Sequence, residues 1–205
     1  MLNRAVVKKT IMVSALIALT GCAVAPPQNT TNACEIFQQY PDWYASAKES
    51  ERRWGTPVPV MLAIIHQESR FQADVSSERV RIFGIPTVRR SSSYGYTQAL
   101  DGTWKDYQRA TGNRTGSRDN FHDSVDFIGW YNYQSYRING IERNNTYYLY
   151  MAYHEGHTGY KQKGWQGKQW LKDVATKVAN RAIAYDKQLK SCRLKASKNE
   201  RWWVF

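Results

Sequence analysis

Along most of this chain apolar residues return every third or fourth position, the spacing of a helix with one buried stripe. The pattern becomes helical from Cys34. Pro41 suits a first helical turn, and Trp43, Ala47, Ser50 and Trp54 follow on one face until Gly55 stops it. Pro57 and Pro59 open a helix from Val60 to about Glu68 that is apolar nearly all round, so it should be central and buried. Asp101 or Thr103 is positioned to cap a helix through Thr111, ended by Gly112. Asn120 starts the next, with Phe121, Val125, Ile128 and Tyr131 on one stripe and Gly140 beyond its end. Asn145 caps a helix over Thr146 to Glu155, closed by Gly156. Trp170, Val174, Val178, Ala182 and Tyr185 mark a last long helix toward Cys192. Strand-like alternation is confined to the 80s, inside a segment from Ser76 to Ser93 that reads as a long loop. The pattern predicts a mainly α fold around one buried helix.

That central helix ends in unusual chemistry. Ala63-Ile64-Ile65-His66-Gln67-Glu68-Ser69 passes from an apolar run to a single carboxylate followed by a hydroxyl. A Glu at the end of a buried helix is partly desolvated, which disfavours its ionised form. A carboxyl still protonated near neutral pH can serve as a general acid. The alternative is a helix that has reached solvent, with Glu68 its first wet residue. His66 reads as a hydrogen-bonded packing residue.

The first residues belong to a different kind of segment. Arg4, Lys8 and Lys9 precede an apolar run from Ile11 to Leu19, the length of a signal-peptide core and too short to span a bilayer. Leu19-Thr20-Gly21-Cys22 resembles the bacterial lipobox, which implies cleavage after residue 21 and a lipid on Cys22. An ordinary secretory signal with an incidental Cys is the alternative. The expected organisation is a lipoprotein-type signal peptide over 1–21, a lipidated tether over 22–33, a folded domain over 34–192 and a basic, aromatic tail over 193–205. Ala23 after the lipidated position fits retention at the outer membrane, with the domain in the periplasm.

Export changes how cysteine and charge are read. With Cys22 lipidated, Cys34 and Cys192 remain near the two ends of the domain, and an oxidising periplasm permits them to pair. Two separate buried thiols are the alternative. The chain carries a formal charge of +12. Losing Arg4, Lys8 and Lys9 with the leader lowers this to +9. Such a balance calls for an acidic partner: nucleic acid, anionic lipid or a carboxylate-bearing wall glycan. A secretion signal argues against nucleic acid. Eight Trp and fourteen Tyr supply rings that pack cores and also stack on sugars.

Two later segments complete a constellation. Gly95-Tyr96-Thr97-Gln98 and Ala152-Tyr153-His154-Glu155-Gly156 follow Glu68-Ser69 in order. Together they resemble the lysozyme-like domain of SLT-type lytic transglycosylases, which has a helix ending in Glu-Ser, then Gly-Leu-Met-Gln, then Ala-Tyr-Asn-Ala-Gly. Here Tyr96-Thr97 replaces Leu-Met and His154-Glu155 replaces Asn-Ala. The resemblance covers about Trp54 to Gly156.

It implies a peptidoglycan glycan strand as substrate, no cofactor, and cleavage of the bond between N-acetylmuramic acid and N-acetylglucosamine with closure of a 1,6-anhydro ring. It casts Glu68 as the sole catalytic acid and base, where ordinary glycosidases use two carboxyls. Ser69, Gln98, Tyr153, Tyr96 and Glu155 become supporting or sugar-binding residues. Arg79, Arg81, Arg89 and Arg90 are expected to wall the cleft and hold substrate carboxylates. His154-Glu155-Gly156-His157 does not make a zinc site, because the helical zinc motif needs His where Thr158 stands. Two rival functions follow from the same residues: a hydrolytic muramidase with Glu155 or another acid activating water, and a silent wall-binding lipoprotein.

Overall fold

A computed structural model describes residues 24–77, 79–82, 85–89, 91–192 and 194, with backbone alone for 79–82 and 85–89. Residues 1–23, Cys22 among them, and the tail apart from Leu194 lie outside the described residues, as do Arg90 and the side chains of Arg79, Arg81 and Arg89. The chain runs α1 (Ala33–Gln39), α2 (Pro41–Trp54), α3 (Val58–Ser69), β1 (Arg79–Ile82), β2 (Ile85–Arg89), α4 (Asp101–Thr111), α5 (Phe121–Asn139), α6 (Thr146–Lys161) and α7 (Gln169–Ser191). The fold is mainly helical, as the apolar spacing requires.

Helix α3 is the centre. Its residues Val60 to Ile65 are all buried, and it packs against α7, α5 and α2. With apolar side chains on every face, burial among several helices is the only way to remove it from water. Arg70 and Phe71, both with positive φ, turn the chain sharply after Ser69. That reversal leaves Glu68 in the last turn, at the boundary between core and surface.

Helices α2 and α5 approach closely because Gly129 has no side chain. A Cβ there would lie 2.3 Å from Ser50 Oγ. Ser50 Oγ instead donates to Val125 O at 3.0 Å. Beside this crossing the buried Asp126 carboxylate accepts from Trp54 Nε1 at 2.7 Å, Tyr107 Oη at 2.8 Å and Arg53 Nη1 at 3.3 Å. A buried charge is tolerable only with partners of this kind. The trio locks α2, α4 and α5 together behind the cleft.

The two ends of the domain meet. Cys34 on α1 and Cys192 after α7 form a disulfide, with Cα atoms 5.6 Å apart. Gln188 Oε1 accepts from Ala33 N at 2.8 Å, and Tyr185 hydroxyl bonds Thr30 O, so the covalent link joins surfaces already in contact.

Three local expectations are corrected. The segment from Ser76 to Ser93 contains an antiparallel hairpin, with Arg79 opposite Arg89 and Ile82 opposite Ile85. Period-two alternation over so few residues is a weak signal against an Arg-rich background. Neither Asp101 nor Thr103 caps α4; the cap position is Leu100, and the Asp101 N–H donates to Ser92 Oγ at 3.1 Å. That partner is nine residues away and reaches the helix only through the folded loop. Helix α6 does not stop at Gly156. The glycine adopts φ 73° and ψ 159°, breaks the helix, and helical turns resume to Lys161.

Candidate active site

The hairpin stands on the loop that bears the second motif. Tyr94 bridges both Ser76 before the hairpin and Ala99 after the turn. Gly95 shows why glycine opens this turn. Its φ is +75°, and a Cβ would sit 2.0 Å from Arg118 O, the atom that accepts from Tyr96 N at 3.0 Å. Only a residue without a side chain allows both the dihedral and the approach.

Arg118 then fixes the far side of the loop. It donates to Ser92 O at 2.8 Å, to Ala99 O at 2.7 Å and to Asp101 Oδ1 at 2.7 Å. The loop is held rigid against the start of α4.

This loop, the end of α3 and the middle of α6 enclose a cleft of about 510 Å³. Glu68, Gln98, Tyr153, His154 and Glu155 line it, with Phe127 and Tyr131 of α5 as its aromatic wall. Three segments separated by long stretches of chain thus share one depression.

Glu68 is a carboxyl held against ionisation. Burial pushes its carboxyl up to about 7. A hydrogen bond with the Tyr150 hydroxyl opposes that shift without cancelling it. The carboxyl therefore holds a proton near neutrality and can release it at small cost.

Tyr153 faces the same group. Its hydroxyl donates to Thr97 O at 2.6 Å, and its pKa is driven upward by burial and by the nearby Glu68 charge. The ring packs edge-on to Tyr131, with centroids 5.0 Å apart. Tyr131 donates to Ala152 O at 3.2 Å and stacks on His157 at 4.3 Å. The aromatic wall is thus tied to the backbone that positions Tyr153.

Gln98 reaches the cleft with φ at +51°. Its Nε2 donates to Val75 O and Gly95 O, each at 2.9 Å. Both amide hydrogens are committed to the loop, so its Oε1 is the atom left for a ligand, as an acceptor.

Glu155 lies in the cleft wall as a bound anion. Lys168 Nζ is 2.8 Å from both of its oxygens, and His154 Nδ1 is 3.1 Å from one. These partners hold its carboxyl below the usual range. It is fully ionised near neutrality and already occupied.

Two expected site residues are placed elsewhere. Tyr96 is fully buried, edge-on to Trp43 and Phe121, and does not line the cleft. A tyrosine beside a glycine turn packs inward here because the Trp43 and Phe121 rings offer it an apolar seat. Ser69 is buried and donates to Ile65 O at 3.3 Å, so its hydroxyl serves its own helix. His66 sits at the edge of the core; burial, then Arg181 and Arg70, lower its pKa to about 4 and keep it neutral.

Tyr150 is the residue that motif reading missed. It stands three positions before Tyr153, on the same helical face, so the period of the helix could have revealed it. The Lys168 partner of Glu155 leaves no such trace, since it comes from beyond the helix break.

A model of the family described as transglycosylase SLT domain matches residues 10–192 of the chain. No curated protein matches it.

Proposed function

Starting from the chain's membership of the transglycosylase SLT domain family, we propose that it is a peptidoglycan lytic transglycosylase acting through Glu68 alone. Membership itself supports the coarser statement, a lysozyme-like domain acting on peptidoglycan strands. The finer reading rests on one observation: a carboxyl raised to about 7 lies in the cleft, while the other carboxyl there is consumed by Lys168 and His154. A two-carboxyl hydrolase needs a free second acid to attack C1 or to activate water.

The reaction then runs in two steps. Protonated Glu68 gives its proton to the oxygen linking C1 of N-acetylmuramic acid to C4 of N-acetylglucosamine. The C1–O bond breaks as the muramyl N-acetyl oxygen bonds to C1, and the N-acetylglucosamine end leaves with its hydroxyl restored. The Glu68 carboxylate next takes the proton of the muramyl C6 hydroxyl. That oxygen bonds to C1, the bond from the N-acetyl oxygen breaks, and a 1,6-anhydro ring closes. The acid is regenerated and no water is consumed.

Within this scheme Tyr150 and Tyr153 orient and tune Glu68, and the Gln98 carbonyl accepts a hydrogen bond from sugar. The +9 charge of the leaderless chain draws the acidic strand to the surface. We read residues 1–21 as a lipoprotein signal and Cys22 as the anchor that places the domain on the periplasmic face of the outer membrane.

Mass spectrometry of sacculi digested with the protein tests the reaction. Muropeptides ending in 1,6-anhydro-N-acetylmuramic acid are expected. Reducing ends alone would assign the chain to the hydrolytic muramidases.

A further inference from the structure

The replacement of Asn-Ala by His154-Glu155 has a structural consequence outside the acid and base chemistry. Glu155 is anchored by Lys168, the residue immediately before α7. It thereby draws the start of α7 to the cleft wall. Its other contact is His154 Nδ1, at 3.1 Å. With Nδ1 committed to the carboxylate, Nε2 is the ring nitrogen left for a ligand. His154 lines the cleft.

Two residues after Lys168, Trp170 meets the same imidazole. Its ring lies edge-on to His154, with centroids 5.1 Å apart, and it is 54% exposed. No other tryptophan among the described residues is so open to solvent. An exposed aromatic ring packed against a residue of the cleft wall offers a bound strand an apolar face.

We propose that His154 and Trp170 form a saccharide subsite at the rim of the cleft. One sugar of the strand held by Glu68 lies against the Trp170 ring and hydrogen-bonds to His154 Nε2. Aromatic rings suit such ligands because the axial C–H faces of a pyranose are apolar while its hydroxyls stay at the edge. Lys168 and Glu155 are positioning residues: they fix the imidazole and hold α7 against the cleft. The subsite rests on the glycan-cleaving reading and adds a place where the strand is gripped away from the bond that breaks.

The experiment measures binding without turnover. Full-length protein carrying Glu68→Gln is titrated with peptide-free glycan strands, followed by sedimentation, and compared with the same protein carrying Trp170→Ala in addition. The expected result is a two- to tenfold weaker Kd, the range of a single aromatic contact, with most affinity restored by Trp170→Phe. Trp170 is exposed, so its loss leaves the fold intact. Lys168→Met should weaken binding in the same direction by freeing Glu155 and His154. Equal affinity with and without Trp170 overturns the subsite, whatever the wild type cleaves. If Trp170→Ala weakens binding but the wild type releases no fragments from sacculi, the subsite stands and the catalytic reading falls.

Discussion

The Tyr153 hydroxyl donates to Thr97 O at 2.6 Å, and this bond joins the third motif directly to the second. It also fixes what Tyr153 can offer to substrate. With its proton committed to Thr97, the phenolic oxygen faces the site as an acceptor. Tyr153→Phe should therefore loosen the loop and the helix from each other. A hydrogen bond of this kind contributes about 0.5–1.5 kcal/mol, and a drop in Tm measured by calorimetry should accompany lower turnover. Unchanged Tm with unchanged turnover would remove Tyr153 from both roles.

Replacing Glu68 by Gln should abolish strand cleavage and leave the fold intact. Gln has nearly the same shape but cannot pass a proton. General acid and base action is typically worth about a hundred- to ten-thousand-fold. Near wild-type release of muropeptides by the folded variant would refute the assignment.

The raised Glu68 pKa sets two pH effects. Activity needs the protonated carboxyl, so it should fall as pH rises through about 7. Stability should follow the same direction. The folded protein binds this proton more tightly than the unfolded chain does, so its contribution is full below the unfolded value near 4.5 and is lost up to about 7. Glu68→Gln should flatten the decline of Tm between those limits and leave the variant more stable than wild type at pH 8. Parallel Tm curves for the two proteins would contradict this.

Gly95→Ala should be strongly destabilising. Left-handed backbone conformations cost roughly 1–3 kcal/mol in other residues, and the new Cβ would meet Arg118 O at 2.0 Å. Gln98 is held by the carbonyl of the same glycine. Denaturant unfolding should show the loss, and cleavage should fall with it.

Breaking the Cys34–Cys192 disulfide should lower stability with little effect on the chemistry, because the bond lies at the joined ends of the domain. Closing so long a loop is worth on the order of 4–5 kcal/mol in the chain-entropy view. The double variant Cys34→Ser/Cys192→Ser should unfold at markedly lower denaturant and retain turnover at low temperature. A midpoint equal to wild type would show that the packing of α1 on α7 suffices alone.

The helices were legible because their signals are local. Pro41 at a helix start, Asn120 and Asn145 as side-chain caps, and Gly55, Gly112 and Gly140 in left-handed ends act within a few residues of themselves. The all-apolar run before Glu68 likewise announced a buried helix, and burial is what raises its carboxyl. The roles of Tyr96, Ser92 and Glu155 were not local. Tyr96 went to the core because Trp43 and Phe121, far away in sequence, surround it. Ser92 meets the first turn of α4 only after the loop folds. Glu155 lost its freedom to Lys168, which reaches it across the break at Gly156. Sequence alone determined which segments are helical and which carboxyl sits at the end of a dry one. Tertiary structure decided which neighbours each polar group finds, and those long-range partners settle whether a side chain is a ligand, a strut or a free acid.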